Sequence, residues 1–290
     1  MDLIVKTQTL HSKIDDNGLF IYSTKLLFQN FKHNETSAAV ANNFNKMILK
    51  ELNIFVEKDE IETCHFWKKP YQVITVISVK AFHDFIDKFL IQSKPKIIAI
   101  DVEGRRFGQK AVLLQLATDK WACLIDIQEL IKKLSPKQWK HFYTTLFGSN
   151  ITLIGFSFIN DFDLLCNTFS FLPTLLKECQ GKVLCLQKLS NQLIKDEKCN
   201  NLFSEIPKDG FGLAKLAKSV LDYDISKSLQ KSNWAKRPLT QSQKNYAVKD
   251  VVVVVLIKDE MEKRLKKEYG DAVTEELMKN SYVSYRERIN

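Results

Sequence analysis

The chain has 290 residues, of which 45% are hydrophobic and 27% are charged, a composition typical of a globular protein with one sizeable core. Its formal net charge of +9 favours a polyanionic partner such as a nucleic acid. No apolar run approaches the roughly 20 residues that span a bilayer, which excludes a membrane partner. The N-terminus also lacks the apolar core of a signal peptide, so we expect an intracellular protein, cytoplasmic or nuclear.

The six cysteines indicate a reducing compartment and no disulfide framework. None belongs to a Cys-x-x-Cys pair, and most lie in apolar stretches such as residues 121–124. Cys64 and His65 are adjacent, but no second pair stands at ligand spacing. A structural zinc site is therefore rejected.

The sequence predicts three regions. Residues 1–70 carry no motif, and an apolar stripe from Ser37 to Leu52 predicts an amphipathic helix within a small, mainly helical N-terminal extension. This extension is open to interpretation as an appendage, a helical cap or a docking surface for a protein partner. Residues 71–270 form the main domain and residues 271–290 a C-terminal tail.

The main domain reads as α/β, with a mixed central sheet flanked by helices. Apolar runs predict strands, and apolar residues at helical spacing predict helices. Three strands with short links predict an antiparallel meander. The predicted strands are 73–77, 96–104, 111–117, 121–126, 151–156 and a short one after 181. The predicted helices are 78–91, 136–147, one that begins at 160–165, one that ends near 193, 213–221 and 240–268.

The last of these helices contains five consecutive valines, Val251 to Val255, which locally favour a strand. Thr240 and Gln243 form a possible capping box, the pattern is far too long for a strand, and its end is heavily charged. We therefore predict a helix that is buried over its middle.

Two carboxylates follow a strand that is predicted to be buried on both sides. Ile97 to Ile100 have no polar face, and the alternation continues through Asp101, Val102 and Glu103. The two acids therefore point to one face. Such a pair is tolerated at the edge of a core if a divalent cation lies between the carboxylates.

Two further acids complete a candidate site. Asp250 lies one helical turn from Tyr246, and Asp161 follows the strand at 151–156. Carboxylates without histidine or cysteine suit Mg²⁺ or Mn²⁺, and two such ions are the usual apparatus for hydrolysing a phosphodiester. Each acid also has an ordinary interpretation: a polar strand edge, a helix cap at Asp161, or a lysine partner for Asp250.

Order and spacing favour the site over these interpretations. The residues that carry the pattern are Asp101-Val102-Glu103, Leu113 to Thr118, Gly155 with Asp161 and Leu165, Gly212-Leu213-Ala214-x-Leu216 through Lys227, Ser232-Asn233-Trp234, Arg237-Pro238-Leu239-Thr240 with Gln243, and Tyr246-Ala247-x-x-Asp250. Over about residues 73–265 the chain thus resembles the DEDDy 3′–5′ exonucleases. The resemblance is to their RNase D and Werner-type branch, and most of all to the Nibbler-type exonucleases of small-RNA pathways.

The resemblance implies an RNase H-like fold and assigns roles within the 71–270 domain. It implies that Asp101, Glu103 and Asp250 hold one divalent cation, while Asp101 and Asp161 serve a second. Tyr246 would orient the attacking water. Gln115 would contact the terminal nucleotide. Arg237 would serve the phosphate backbone, with a structural salt bridge as the alternative.

Two positions qualify the resemblance. Gly104 stands where relatives of this type often carry an aromatic or bulky residue, so end selection or rate is expected to differ. Asp163 rivals Asp161, but the spacing from Gly155 and to Leu165 favours Asp161.

The predicted function is a metal-dependent 3′–5′ exonuclease acting on single-stranded RNA, with DNA as the alternative substrate and small-RNA processing or silencing as the expected setting. The competing interpretation is a catalytically weak or inactive nucleic-acid-binding scaffold, recruited to an RNA-processing complex through its N-terminal region. A scaffold of that kind would be expected to lack one or more metal ligands, whereas all four acids are present here.

Overall fold

The computed structural model describes residues 9–14, 20–24, 61–66, 69–104, 110–148 and 150–285. The chain divides into two compact units, Met1–Phe55 and Val56–Asn290. In the first unit, β1 (Thr9–Ile14) pairs antiparallel with β2 (Phe20–Thr24). The helix predicted at Ser37 to Leu52 lies outside the described residues.

A mixed sheet organises the second unit. Within the described ranges it has eight strands in the spatial order β10-β9-β8-β5-β6-β7-β4-β3. The strands are β3 (Ile61–Phe66), β4 (Lys69–Val76), β5 (Ile97–Gly104), β6 (Ala111–Ala117), β7 (Trp121–Ile125), β8 (Thr152–Gly155), β9 (Lys182–Cys185) and β10 (Tyr282–Ser284).

The predicted meander is confirmed. β5, β6 and β7 are antiparallel neighbours, with β5 at the centre of the sheet. β8 runs parallel to β5, and β9 runs parallel to β8, so their carboxyl ends meet at one edge. This edge of the sheet is where the candidate acids emerge.

Helices cover both faces of the sheet. They are α1 (Val79–Phe85), which continues as a π-helix over Ile86–Gln92, α2 (Ile127–Leu130), α3 (Pro136–Gly148), α4 (Ile159–Thr168), α5 (Leu172–Glu178), α6 (Leu186–Leu193), α7 (Leu213–Leu221) and α8 (Gln241–Asn280), with a 3₁₀ turn at Glu197–Leu202. One core lies between the sheet and α1 to α5, and the other lies between the sheet and α6 to α8. The RNase H-like α/β architecture is thus the observed one.

Local chemistry explains the helix starts that the sequence predicts. Ser78 caps α1 by accepting a hydrogen bond from the Ala81 amide at 3.1 Å. Thr240 caps α8 in a complete capping box with Gln243. Asp161 lies in the first turn of α4, whose capping residue is Phe158, so its carboxylate does not serve as the cap.

The sheet reaches beyond the predicted limits of the main domain. β3 precedes residue 71 and pairs with β4, while β10 lies within the predicted tail and pairs with β9. α8 also continues past residue 268 to Asn280, with a break in helical geometry at Gly270. The division into 1–70, 71–270 and 271–290 therefore remains a prediction about domains, but its outer parts contribute strands to this sheet.

No helix in the described parts of the chain combines the length and apolar character that crossing a membrane requires.

Candidate active site

β5 presents the first two acids. Ile98, Ala99 and Ile100 are fully buried, and Val102 packs in the core shared with α1 to α5. Strand alternation turns Asp101 and Glu103 to the other face, toward α8. The pairing of β5 with β6 becomes irregular directly after Glu103, so the regular part of the strand pair ends there.

α8 brings Tyr246 and Asp250 to the same place. The helix packs across β5, β6 and β7, and Val251 to Val255 are all at most 3% exposed. The buried helix predicted for the valine run is therefore confirmed. Its capping box fixes where the helix begins, and Asp250 follows Tyr246 by one turn on the same face.

Three of the four predicted metal ligands form a tight cluster. Asp101, Glu103 and Asp250 each offer a carboxylate oxygen, and these atoms all lie within 4.8 Å of one another. Asp161 is not a member of this triad, but it lines the same cleft of about 400 Å³. The structure thus gathers all four acids and Tyr246 around one space.

The cluster is electrostatically strained. Burial raises the pKa of Asp101 to about 6 and that of Asp250 to about 7, where the Asp101 charge adds to the effect. Burial, followed by the charges of Asp101 and Asp250, raises the pKa of Glu103 to about 9. Burial raises the pKa of Asp161 well above its usual range, with further contributions from Asp101 and Glu103. Burial is the largest cause of each shift, and neighbouring carboxylate charges add to it at Glu103, Asp161 and Asp250.

This donor set fits divalent cations. Within the described part of the chain, none of the four carboxylates forms a salt bridge with a lysine or arginine. Among the described residues no basic side chain neutralises these acids, and their hard oxygen ligands are those that Mg²⁺ and Mn²⁺ prefer. A bound cation would offset the repulsion that raises these pKa values.

Tyr246 is attached directly to this cluster. Its hydroxyl forms a hydrogen bond with the Asp250 carboxylate, and its ring lies 5.9 Å from the ring of Trp234. Burial and then the charge of Asp250 raise the pKa of Tyr246 above its ordinary value. The phenol is therefore a protonated donor at neutral pH in this site.

Asp161, rather than Asp163, faces the cleft. Asp163 is on the same helix but lies near Cys166 and Tyr285, where its charge raises the pKa of both groups. Asp161 lines the cleft with the other acids. The preference drawn from the spacing thus agrees with the geometry.

Gln115 is not placed to contact a nucleotide. It lies directly opposite Asp101 on β6 and is fully buried, so no part of the side chain reaches the cleft surface. Its amide interacts with Glu103 and opposes the rise of that pKa, yet among the described residues neither of its polar atoms has a partner in regular hydrogen-bonding geometry. β6 is buried along its whole length, and the apolar residues on both sides of Gln115 were the sequence signal for that depth.

Arg237 forms a structural salt bridge instead of a phosphate contact. Its Nε and Nη2 donate to the two carboxylate oxygens of Asp126, the latter at 2.8 Å. Its remaining guanidinium hydrogens reach the carbonyl oxygens of Val112, Trp234 and Lys236. All five donors are used, so the alternative interpretation of Arg237 is the one that the geometry supports.

Leu164 occupies the space beside Gly104. A Cβ at Gly104 would lie 3.1 Å from the Leu164 Cδ2 atom. The volume that a bulky residue would take after Glu103 is therefore partly filled from α4. A larger residue at position 104 would have to displace that leucine.

Several wall residues of the cleft had no predicted role. They are Phe156, Ser157, Asn160, Gln187, Leu213, Ala214, Ile225, Gln230 and Val254, together with Gly212 and Lys227, which bound a segment of the resemblance. The segment 212–227 was part of the resemblance, but the sequence did not show that it lies beside the acids. Gln187 follows β9 in a stretch that carries no motif at all.

The fold and the acid cluster define an α/β protein of the RNase H-like type with a carboxylate centre at its strand ends. A family model described as "3'-5' exonuclease" matches residues 74–266. The match covers well over half of the chain, so the chain belongs to the 3′–5′ exonuclease family. The DEDDy resemblance, including that to its Nibbler-type members, is thereby confirmed.

Curated relatives agree with this family. Exonuclease mut-7 of Caenorhabditis elegans is 29% identical over 176 residues, which cover 60% of this chain and 19% of the relative. The exonuclease mut-7 homolog of Drosophila melanogaster is 32% identical over 148 residues, covering 50% of this chain and 23% of the relative. The chain thus spans about a fifth to a quarter of these relatives.

Solved structures show the same fold. The Nibbler EXO domain of Aedes aegypti superposes with a TM-score of 0.58 at 23% identity, covering 71% of this chain and 95% of that domain. Escherichia coli RNase D superposes with a TM-score of 0.51 at 21% identity, covering 73% of this chain and 51% of that protein.

Proposed function

We propose that this chain is a divalent-cation-dependent 3′–5′ exonuclease that removes nucleotides from the 3′ end of single-stranded RNA. The observation that carries the proposal is the convergence of Asp101, Glu103 and Asp250 within 4.8 Å, beside Tyr246 in one open cleft. Family membership supports the reaction.

In this proposal Asp101, Glu103 and Asp250 hold one cation, and Asp101 with Asp161 serves a second. When bound, the two cations would stabilise the negative charge that builds on the scissile phosphate and on the leaving oxygen. Both Mg²⁺ and Mn²⁺ bind this set of oxygen ligands, so the two ions are expected to differ in the activity that they support.

Tyr246 positions the attacking water. Its hydroxyl forms a hydrogen bond with Asp250, and the residue lines the cleft beside the carboxylates, where the attacking water would lie. A protonated phenol donates or accepts a hydrogen bond without leaving its place. We therefore assign orientation, and not removal of a proton, to Tyr246.

The cleft favours an unpaired strand. Its volume of about 400 Å³ suits a single nucleotide, whereas a duplex end would first have to be unpaired. The net charge of +9 supplies attraction for the backbone. RNA is named before DNA because of the Nibbler-type resemblance and because RNase D, of the same fold, is described as an exoribonuclease.

The test is a time course with a 5′-labelled single-stranded RNA in Mg²⁺, in Mn²⁺ and in EDTA. We expect a ladder that shortens from the 3′ end and stops in EDTA. Asp101→Asn should lower the rate at least about a hundredfold, because the site loses a ligand and with it several kcal/mol of charge stabilisation. A matched DNA strand decides the sugar preference.

Asp163→Asn is the matched control, because it removes a carboxylate from the same region without touching the cleft lining. Its rate should stay close to that of the unaltered protein. Absence of shortening in either cation, with RNA binding retained, would contradict the proposal and favour the scaffold interpretation.

A further inference from the structure

A second cavity of about 390 Å³ adjoins the catalytic cleft. Ser157 and Gln187 belong to the walls of both cavities, so the two spaces are neighbours across these residues. The second cavity is built largely on α6 and reaches Val283 on the edge strand β10. It is distinct from the carboxylate cluster and has no role in the reaction proposed above.

The two cavities differ in charge. Among the described residues that line the catalytic cleft, the charged ones are Asp101, Glu103, Asp161 and Asp250 and one lysine, Lys227. Among the described residues that line the second cavity, the charged ones are Lys188 and Lys195. An anionic chain that leaves the acidic cleft therefore meets a positively charged surface next to it.

The boundary between the cavities is held in place by the fold. Gln187 Nε2 donates to the Phe211 carbonyl oxygen at 3.3 Å, and Lys188 Nζ donates to the Tyr282 carbonyl oxygen at 2.9 Å. Ser157 adopts a positive φ of 58°, a conformation that non-glycine residues seldom adopt and that is concentrated at functional sites. The polar groups at this boundary are thus pre-positioned.

We propose that the second cavity is a backbone-phosphate subsite for the strand whose 3′-terminal nucleotide lies in the catalytic cleft. The inference rests on the function proposed above and adds a binding site for the part of the strand outside the catalytic cleft. Lysine contacts to phosphate are independent of sequence and fix the register of the strand, as an exonuclease that trims any sequence requires. The strand passes over Ser157 and Gln187, and a phosphate nearer to the 5′ end lies against Lys188 and Lys195.

The test compares a dinucleotide with a long unstructured RNA, because only the long substrate reaches the second cavity. The variants are Lys195→Gln and the Lys188→Gln/Lys195→Gln double variant. In the double variant, KM for the long RNA should rise about tenfold with little change in kcat, since phosphate contacts act on binding. The ratio of kcat/KM for long RNA to that for the dinucleotide should fall by the same factor. Lys140→Gln on α3, which lines neither cavity, is the control for removal of surface charge.

A binding titration in EDTA measures the affinity for RNA in the absence of hydrolysis. The slope of log affinity against log salt should flatten by roughly 0.7 for each lysine–phosphate pair that a variant removes on a single strand. An unchanged slope, or an equal rise in KM for both substrates, overturns the subsite. If the unaltered protein hydrolyses neither substrate but shows the lysine-dependent slope, the proposed reaction fails while the subsite stands.

Discussion

At the scale of single residues, Gln115 is the unusual group near the site. Its amide is fully buried and has no regular hydrogen bond with the described part of the chain, an arrangement that costs stability on the order of 1–3 kcal/mol. Gln115 lies opposite Asp101 and interacts with Glu103, which indicates a role in arranging these metal ligands. We infer that the amide positions the Glu103 carboxylate and does not bind the nucleotide.

Gln115→Met separates positioning from stability. Methionine keeps the length of the side chain and leaves no unpaired amide, so the melting temperature should stay constant or rise. The cation concentration for half-maximal activity should increase about tenfold or more, as for other residues that orient a metal ligand. Leu116→Met serves as the comparison, because Leu116 is a buried residue of the same strand whose side chain lies in the core on the other face of the sheet. A parallel fall in melting temperature and activity for Gln115→Met, with the cation dependence unchanged, would contradict the positioning role.

At the scale of elements, the salt bridge between Arg237 and Asp126 fastens the loop before α8 to the end of β7. The two side chains are only 14% and 4% exposed. Arg237 also holds carbonyl groups of β6 and of its own loop. The start of α8, and hence the position of Tyr246, depends on this attachment.

Arg237→Met should lower the free energy of unfolding by about 3 kcal/mol or more, because Asp126 is left buried without its partner. Chemical denaturation measures the decrease. Lys263→Met is the control: its ion pair with Glu260 is 3.5 Å long and the lysine is 79% exposed, so at most about 1 kcal/mol is expected. Equal decreases in the two variants would mean that the buried Arg237 pair stabilises the fold no more than an exposed one.

Elements with a strong local pattern were predicted, and those defined only by neighbours were not. The strand at Asp101 and the capped helix at Thr240 are encoded in consecutive residues. β3 and β10 are edge strands that exist through pairing with β4 and β9. The last helix was predicted to end near residue 268, whereas it continues to Asn280 beyond the break in helical geometry at Gly270.

The same difference between local and long-range features applies to the site. The acids were identified from order and spacing, because a chemical motif is local in sequence. The roles of Gln115 and Arg237 depend on burial and, for Arg237, on partners more than a hundred residues away. No local pattern reports such distances. For that reason the sequence proposed a nucleotide contact for Gln115 and left Arg237 open between a phosphate contact and a structural salt bridge, the second of which the geometry shows.

At the scale of the whole molecule, the acid cluster links folding to pH and cations. The raised pKa values of Asp101, Asp250 and Glu103, about 6, 7 and 9, mean that the folded state keeps protons that the unfolded chain has already released. Unfolded carboxyls ionise near their ordinary pKa of about 4. The stability that these groups contribute is therefore greatest below that value and is lost as the pH rises through the folded-state pKa values.

In EDTA, the melting temperature should fall progressively as the pH rises from about 5 to about 9, since the acids must ionise against one another. Mg²⁺ or Mn²⁺ should restore much of the decrease, because a ligand that binds only the folded state stabilises it. Thermal melts across this range, with and without cation, measure both effects. Glu103→Gln removes one of the strained acids, so its melting temperature in EDTA should decline less steeply than that of the unaltered protein, while other titrating groups affect both equally. Identical slopes in the two proteins, or a melting temperature in EDTA that rises toward high pH, would show that the cluster does not govern stability in this way.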